Sequence, residues 1–238
     1  KLIKATEEHF GVEITKDKLA EAIKLHNETR RLQQEIYEMQ KGEEVYLTGL
    51  ELLMVMLAGV SLPRPEYNKM MKDLIAALKA NGPRVKPKVR LLYTGGHADN
   101  PEFFDLLQQN DAHVVSDNTG FGTRAADVLI REDGDPLEAI IDYYFEEKPA
   151  ATRQMGTQVE RMERLLDLVK QYKADGVVAS RLYMCDLWAF EHFLMRKRLH
   201  ENNVPFLELE VDYTPEGQGQ IKTRVQAFVE SLADRQTA

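Results

Sequence analysis

Asp175-Gly-Val-Val-Ala-Ser-Arg-Leu-Tyr-Met-Cys-Asp186 is the stretch on which the fold turns. A short apolar strand, Gly176 to Ser180, hands over here to a helix that the spacing of apolar residues places at Leu187 to Asn202. The same rhythm extends outward in both directions. Val89 to Thr94, His113 to Ser116 and Phe206 to Val211 read as further strands, and helices are expected at Pro101 to Asn110, Pro136 to Glu146, Gly156 to Lys173 and Gly219 to Leu232. Strands separated by helices of this length require right-handed crossovers, which make a mainly parallel sheet. The predicted fold class is therefore α/β, flavodoxin-like in outline, with helices on both faces of the sheet.

From Thr15 to about Ala80 the pattern is helical. Leu19, Ile23, His26 and Arg30 follow the three-to-four spacing behind a helix start at Thr15, and the amphipathic run continues from Glu28 to Met39. Thr48 to Ala58 forms a short apolar helix and Pro65 to Leu78 another, closed by Asn81-Gly82-Pro83. Asn81 to Lys88, with two prolines and a glycine, is the expected linker. The chain thus divides into a helical module, 1–84, and a flavodoxin-like α/β domain, 85–238.

The 39 acidic and 31 basic residues leave a net charge of −8, which argues against a general nucleic-acid or anionic-membrane binder. The most apolar stretch, Leu50 to Leu62, is too short to span a bilayer. One cysteine excludes an intrachain disulfide framework and fits a reducing, cytoplasmic setting. The chain opens at Lys1 without an initiator methionine, so a fragment of a longer protein is the expectation.

In an open parallel sheet the residues that follow each strand are the site candidates. After the first strand come Gly95, Gly96 and His97: two glycines that let backbones approach closely, and a histidine able to donate to an acyl or phosphate oxygen. The second strand ends in Ser116 to Arg124, which reads equally as an anion site, because the guanidinium suits a phosphate or carboxylate, and as a structural loop with an internal ion pair. After the fourth, Thr223 and Arg224 open the last helix and either hold an anion or cap and pair locally. Glu208 and Glu210 share one face of their strand and read as solvated acids. Cys185 has two readings, a buried apolar residue or a thiolate ligand at a helix start where dipole and amides favour negative charge. Asp186 is expected to cap that helix, with Trp188 and Phe190 packed nearby. No Cys-x-x-Cys or His-x-x-x-His spacing provides a complete metal site.

Several segments together resemble the 2-hydroxyacyl-CoA dehydratase and benzoyl-CoA reductase family, in the manner of a 2-hydroxyglutaryl-CoA dehydratase D-component. They are Asn27 to Arg31, Thr48 to Glu51, Gly95-Gly96, His113 to Asp117, Ala174 to Val178, Cys185-Asp186, Val204 to Asp212 and Gln220 to Glu230. They follow the family's order, and the last two with Cys185-Asp186 are the most specific.

The resemblance implies a catalytic subunit that uses a 4Fe-4S cluster to put one electron at a time into a CoA thioester. In the dehydratases this expels a hydroxyl; in the reductases the electrons enter an aromatic ring. It further implies a related second catalytic subunit and a separate ATP-dependent iron-sulfur activator. On that analogy Cys185 is the cluster ligand of the C-terminal domain; from edge geometry alone, Gly95, Gly96 and His97 are the candidates to contact the thioester or pantetheine, and Arg224 to hold an anion or cap and pair. Family subunits carry further cluster cysteines in an N-terminal domain, so this chain is expected to be the C-terminal portion of such a subunit. A non-catalytic assembly module without a cluster is the competing reading, and a flavin or nucleotide binder a third.

Overall fold

Four apolar runs form one sheet in the order β2-β1-β3-β4, with each described pairing parallel. The strands are β1 (Val89–Gly95), β2 (Ala112–Asp117), β3 (Gly176–Leu182) and β4 (Phe206–Val211). The computed structural model describes residues 1–96, 100–108, 112–212 and 218–237. Before the sheet come α1 (Leu2–Phe10), α2 (Lys16–Met39), α3 (Gly49–Ser61) and α4 (Arg64–Asn81). Between and after the strands lie α5 (Pro101–Leu107), α6 (Thr123–Ala126), α7 (Pro136–Asp142) running into a π-turn at Tyr143–Glu147, α8 (Gln158–Gln171), α9 (Asp186–Glu201) and α10 (Gln218–Thr237). The α/β class predicted from the alternation is the observed one.

Every residue of β1 is buried, as a strand covered on both faces requires. Its side chains alternate between two cores. Leu92, with Val115, Val177 and Ala179 of the neighbouring strands, packs into a core shared with α2, α3, α4, α8 and α9. Leu91 and Tyr93 join Val114, Val178 and Leu209 in a second core under α5 and α10. Each fully buried leucine or valine contributes about 1.5–3 kcal/mol, so the two cores dominate the fold's stability. Residues of the helical half thus share one core with the sheet.

Polar contacts join the same parts. The buried Arg90 guanidinium donates to the carbonyls of Tyr172, Gly42 and Gln40, each at 2.9 Å, while its own amide donates to Asp175 Oδ2 at 2.7 Å. The stretch read as a linker is tied in by a bridge between Val45 and Val85. Local chemistry starts the helices: Thr15 accepts from the Lys18 amide, and Thr48 with Glu51 forms a reciprocal capping box. α1, which periodicity did not predict, buries none of its residues. Several boundaries move by a few residues: α5 stops at Leu107 rather than Asn110, and the predicted helix to Glu146 changes to a π-turn at Tyr143.

Candidate functional site

The strand order reverses direction at β1, whose chain leaves toward β2 on one side while β3 lies on the other. A crevice at the carboxyl ends of the strands is the usual ligand position at such a switch point. Gly95, Gly96 and the turn from Leu182 to Cys185 stand on this edge. The Gly96 amide donates to the Ser180 carbonyl at 3.0 Å, stitching the two strand ends together. Gly95 has φ +148°, and a Cβ there would lie 2.3 Å from the Ser180 carbonyl oxygen. A Cβ on Gly96 would lie 2.4 Å from the Trp188 indole nitrogen. Protein atoms approach both glycines closely, the β3 backbone at Gly95 and the Trp188 side chain of α9 at Gly96.

Cys185 is half-buried and is the N-cap of α9, with extended backbone angles and no side-chain capping bond. Asp186, expected to be the cap, is instead the first helical residue. The handover takes three residues, Tyr183 to Cys185. The Tyr183 amide donates to Val211 O at 2.9 Å, Met184 adopts left-handed φ +63°, and the Cys185 amide donates back to Leu182 O at 3.1 Å. A non-glycine residue in the left-handed region stores strain of about 1–3 kcal/mol, held here by the bonds on either side. The turn sets the thiol at the start of α9, beside the helix's first, uncapped turn. Among the described residues no group of three or more His, Cys, Asp and Glu side chains converges into a metal site.

The remaining predicted residues are placed differently. His97 lies outside the described residues. Arg224 donates to the Glu208 carbonyl at 2.7 Å, at the middle of edge strand β4, and lines a groove with Arg196, Phe206 and Arg235. The structure does not bring it to the turn at Cys185. Glu208 and Glu210 are engaged rather than freely solvated: Glu208 pairs with Arg196 and Glu210 with Arg181. Beyond β2, Asp117 accepts from the amide and hydroxyl of Thr119 at 2.8 and 2.7 Å and from the buried Tyr37 hydroxyl. Burial and the Asp117 carboxylate raise the Tyr37 phenol far above its ordinary value, so it stays a donor.

α9 itself is inverted. Glu191 and His192 are buried, while Phe190 is 74% and Phe193 59% exposed, and Tyr183 and Met184 extend this apolar surface. Phe190 is thus largely uncovered, contrary to the expectation that it packs near the cysteine, while Trp188 is half-buried against Gly96 and edge-on to His192. Arg161 of α8 explains the inversion by pairing with Glu191 through two bonds of 2.8 and 2.7 Å. This pair is the feature of the site region that sequence reasoning missed, although an acid and a histidine on the apolar side of a helical wheel were the available signal.

His192 supplies a pH dependence. Burial lowers its pKa, the Glu208 carboxylate at 3.5 Å partly offsets this, and Arg181 and Arg196 lower it further. The unfolded chain then binds the proton more readily than the folded one. Stability is full above the unfolded value of about 6.5 and is lost as pH falls below it. Urea unfolding at pH 7.5 and 5.5 should show a lower free energy at the acid end. His192→Leu should reduce that slope, leaving the share from His26, whose pKa is lowered by burial, Arg64 and Arg30.

Residues 1–232 match the family model described as 2-hydroxyglutaryl-CoA dehydratase, D-component. Among individual proteins, the chain is 29% identical to YjiM, a putative dehydratase subunit of Escherichia coli (strain K12), over 98% of this chain and 62% of that one. It is 24% identical to the (R)-phenyllactyl-CoA dehydratase beta subunit of Clostridium sporogenes, over 97% and 61%. It is also 24% identical to one of the subunits of benzoyl-CoA reductase from Thauera aromatica, over 94% and 59%. The chain spans about three fifths of the length of these curated relatives. Among the described residues no helix is long and apolar enough to cross a membrane.

Proposed function

This chain belongs to the 2-hydroxyglutaryl-CoA dehydratase D-component family, and on that premise we propose that it forms part of a subunit of an enzyme acting on CoA thioesters, by dehydration or by aromatic ring reduction. The observation that carries the reading is Cys185 itself, a partly exposed thiol capping a helix at the switch-point edge. A sulfur that is partly exposed at a helix start is accessible to a metal. Cys185 fits one coordination position of a 4Fe-4S cluster and no more, since the described residues offer no second converging ligand set. Such a cluster, when bound, supplies low-potential electrons to the thioester.

The chain's own residues have distinct tasks in this reading. The start of α9 holds Cys185 at a fixed place on the crevice edge, where its sulfur would take one ligand position. Trp188 wedges against Gly96 and limits water on that side. The strained Met184 turn fixes where the sulfur points. Gly95 and Gly96 hold the β1 and β3 ends close enough to form one wall of the crevice. The apolar surface of Tyr183, Met184, Phe190 and Phe193 supports burial by a related second subunit, because exposed aromatic clusters of this kind mark interaction sites. A separate ATP-dependent iron-sulfur activator as electron donor completes the reading, with a cytoplasmic setting.

Anaerobic iron and sulfide analysis with EPR, on the assembled subunit, tests it. Wild type is expected to show a cluster signal that Cys185→Ser abolishes or shifts. Identical iron content and spectra in the two proteins would remove Cys185 from the ligand set and favour the non-catalytic assembly module, for which the exposed face of α9 is the supporting observation.

A further inference from the structure

Three cationic side chains converge on a small cavity that no acidic residue lines. The cavity, about 190 Å³, lies between α2, the junction of α3 and α4, the loop after β2 and the end of the π-turn. Arg30, Arg64 and Lys148 supply the charge, with His26 and Tyr143 beside them. Arg124 adds a fourth cation from behind the loop, since a Cβ on Gly120 would stand 3.2 Å from its guanidinium.

Arg30, Arg64 and Lys148 make no ion pair among the described residues, whereas Arg124 feels the carboxylates of Asp117 and Glu191 as well as its cationic neighbours Arg164 and Arg161. Arg30 is 9% exposed and lies over the Tyr143 ring at 4.8 Å. One of its terminal nitrogens donates to Asn27 Oδ1 at 3.3 Å, whereas its buried Nε has no partner. The Arg124 Nε is likewise buried and unpartnered. Arg64 donates to the carbonyl of Gly59, and Lys148 sits over the Tyr144 ring at 5.2 Å. Buried guanidinium N–H groups facing like charges are unfavourable unless an anion joins them, and arginine forks match carboxylate and phosphate geometry.

We propose that this cavity binds a small oxyanion, a carboxylate or a phosphate group carried by a ligand. At about 190 Å³ it is smaller than the roughly 300–1,000 Å³ of pockets that enclose whole small molecules, so it receives the charged end of a ligand and not its full body. The local field agrees. Burial, Arg124 and Arg30 all push the Lys148 amine down from its ordinary value, in the direction that a bound anion would reverse. The site is distinct from Cys185 and stands whether or not that thiol binds iron.

Isothermal titration of the purified chain with inorganic phosphate and with acetate, each against chloride at matched ionic strength, tests the proposal. Saturable binding of at least one is expected, weakened about tenfold or more in Arg30→Gln and in Lys148→Gln, the loss anticipated for one charge-assisted hydrogen bond. Tighter phosphate binding would assign a phosphate ester as the ligand's end, and tighter acetate binding a carboxylate. Absence of saturable binding by either ion overturns the proposal, as does unchanged affinity in the variants. Should the buried Arg30→Gln fail to fold, the half-buried Lys148→Gln decides alone, because its ammonium packs only on an exposed ring.

Discussion

Gly95→Ala is expected to lower the unfolding free energy by about 3 kcal/mol or more. Two costs act together at this position. The backbone angle of φ +148° is one that an L side chain rarely adopts, which costs about 1–3 kcal/mol. The new methyl would also lie 2.3 Å from the Ser180 carbonyl oxygen and 2.8 Å from its amide nitrogen. Backbone atoms of a central strand cannot move aside, and overpacking of a rigid site adds about another 1–3 kcal/mol. Gly96→Ala is the informative control, since its obstacle is the Trp188 ring, a side chain able to rotate into the exposed surface beside it. A smaller loss is expected there, together with a change in tryptophan emission. Urea unfolding followed by circular dichroism gives both values. A Gly95→Ala midpoint equal to wild type would mean that β1 and β3 do not meet as described.

Arg161→Met should cost about 3–5 kcal/mol, the penalty for stranding a buried charge. Arg161 is 7% and Glu191 4% exposed, and besides its two bonds to Glu191 the guanidinium donates to Gln154 O at 3.1 Å and to Thr157. Removing it leaves the Glu191 carboxylate buried between α8 and α9 without its hydrogen-bonded counter-charge, with only Arg124 acting on it from farther away. The pair as a whole is worth much less than this, because desolvating both ions offsets most of their attraction. Arg161→Met combined with Glu191→Leu should therefore recover most of the loss, and a double-mutant cycle in urea separates the two quantities. A double variant as unstable as Arg161→Met would assign the damage to lost packing instead.

Elements with local causes were legible in the sequence. β4 runs from Phe206 to Val211 as its alternation and flanking residues require, and α2 starts behind Thr15 because a threonine oxygen accepts from an amide three residues on. The handover from β3 to α9 was equally visible, since a strand of period two gives way to a helix within a few residues. The family resemblance rested on the same short segments. Less legible was α1, whose short run buries nothing and so has no apolar face for periodicity to detect.

By itself the sequence determined that strands and helices alternate, that the strands must run parallel, and that Cys185 stands where a strand yields to a helix. Each of these follows from neighbours a few residues apart. Only the tertiary structure decided the strand order, the switch point between β1 and β3, the inverted face of α9 and the displacement of Arg224 to the middle of β4. It alone brought Arg30, Arg64, Arg124 and Lys148 around one cavity. The physical reason is distance along the chain: Arg161 and Glu191 are separated by 30 positions, and Arg30 and Lys148 have β1 and β2 between them. Such pairs have no local periodicity, and their meeting depends on how every crossover between them packs.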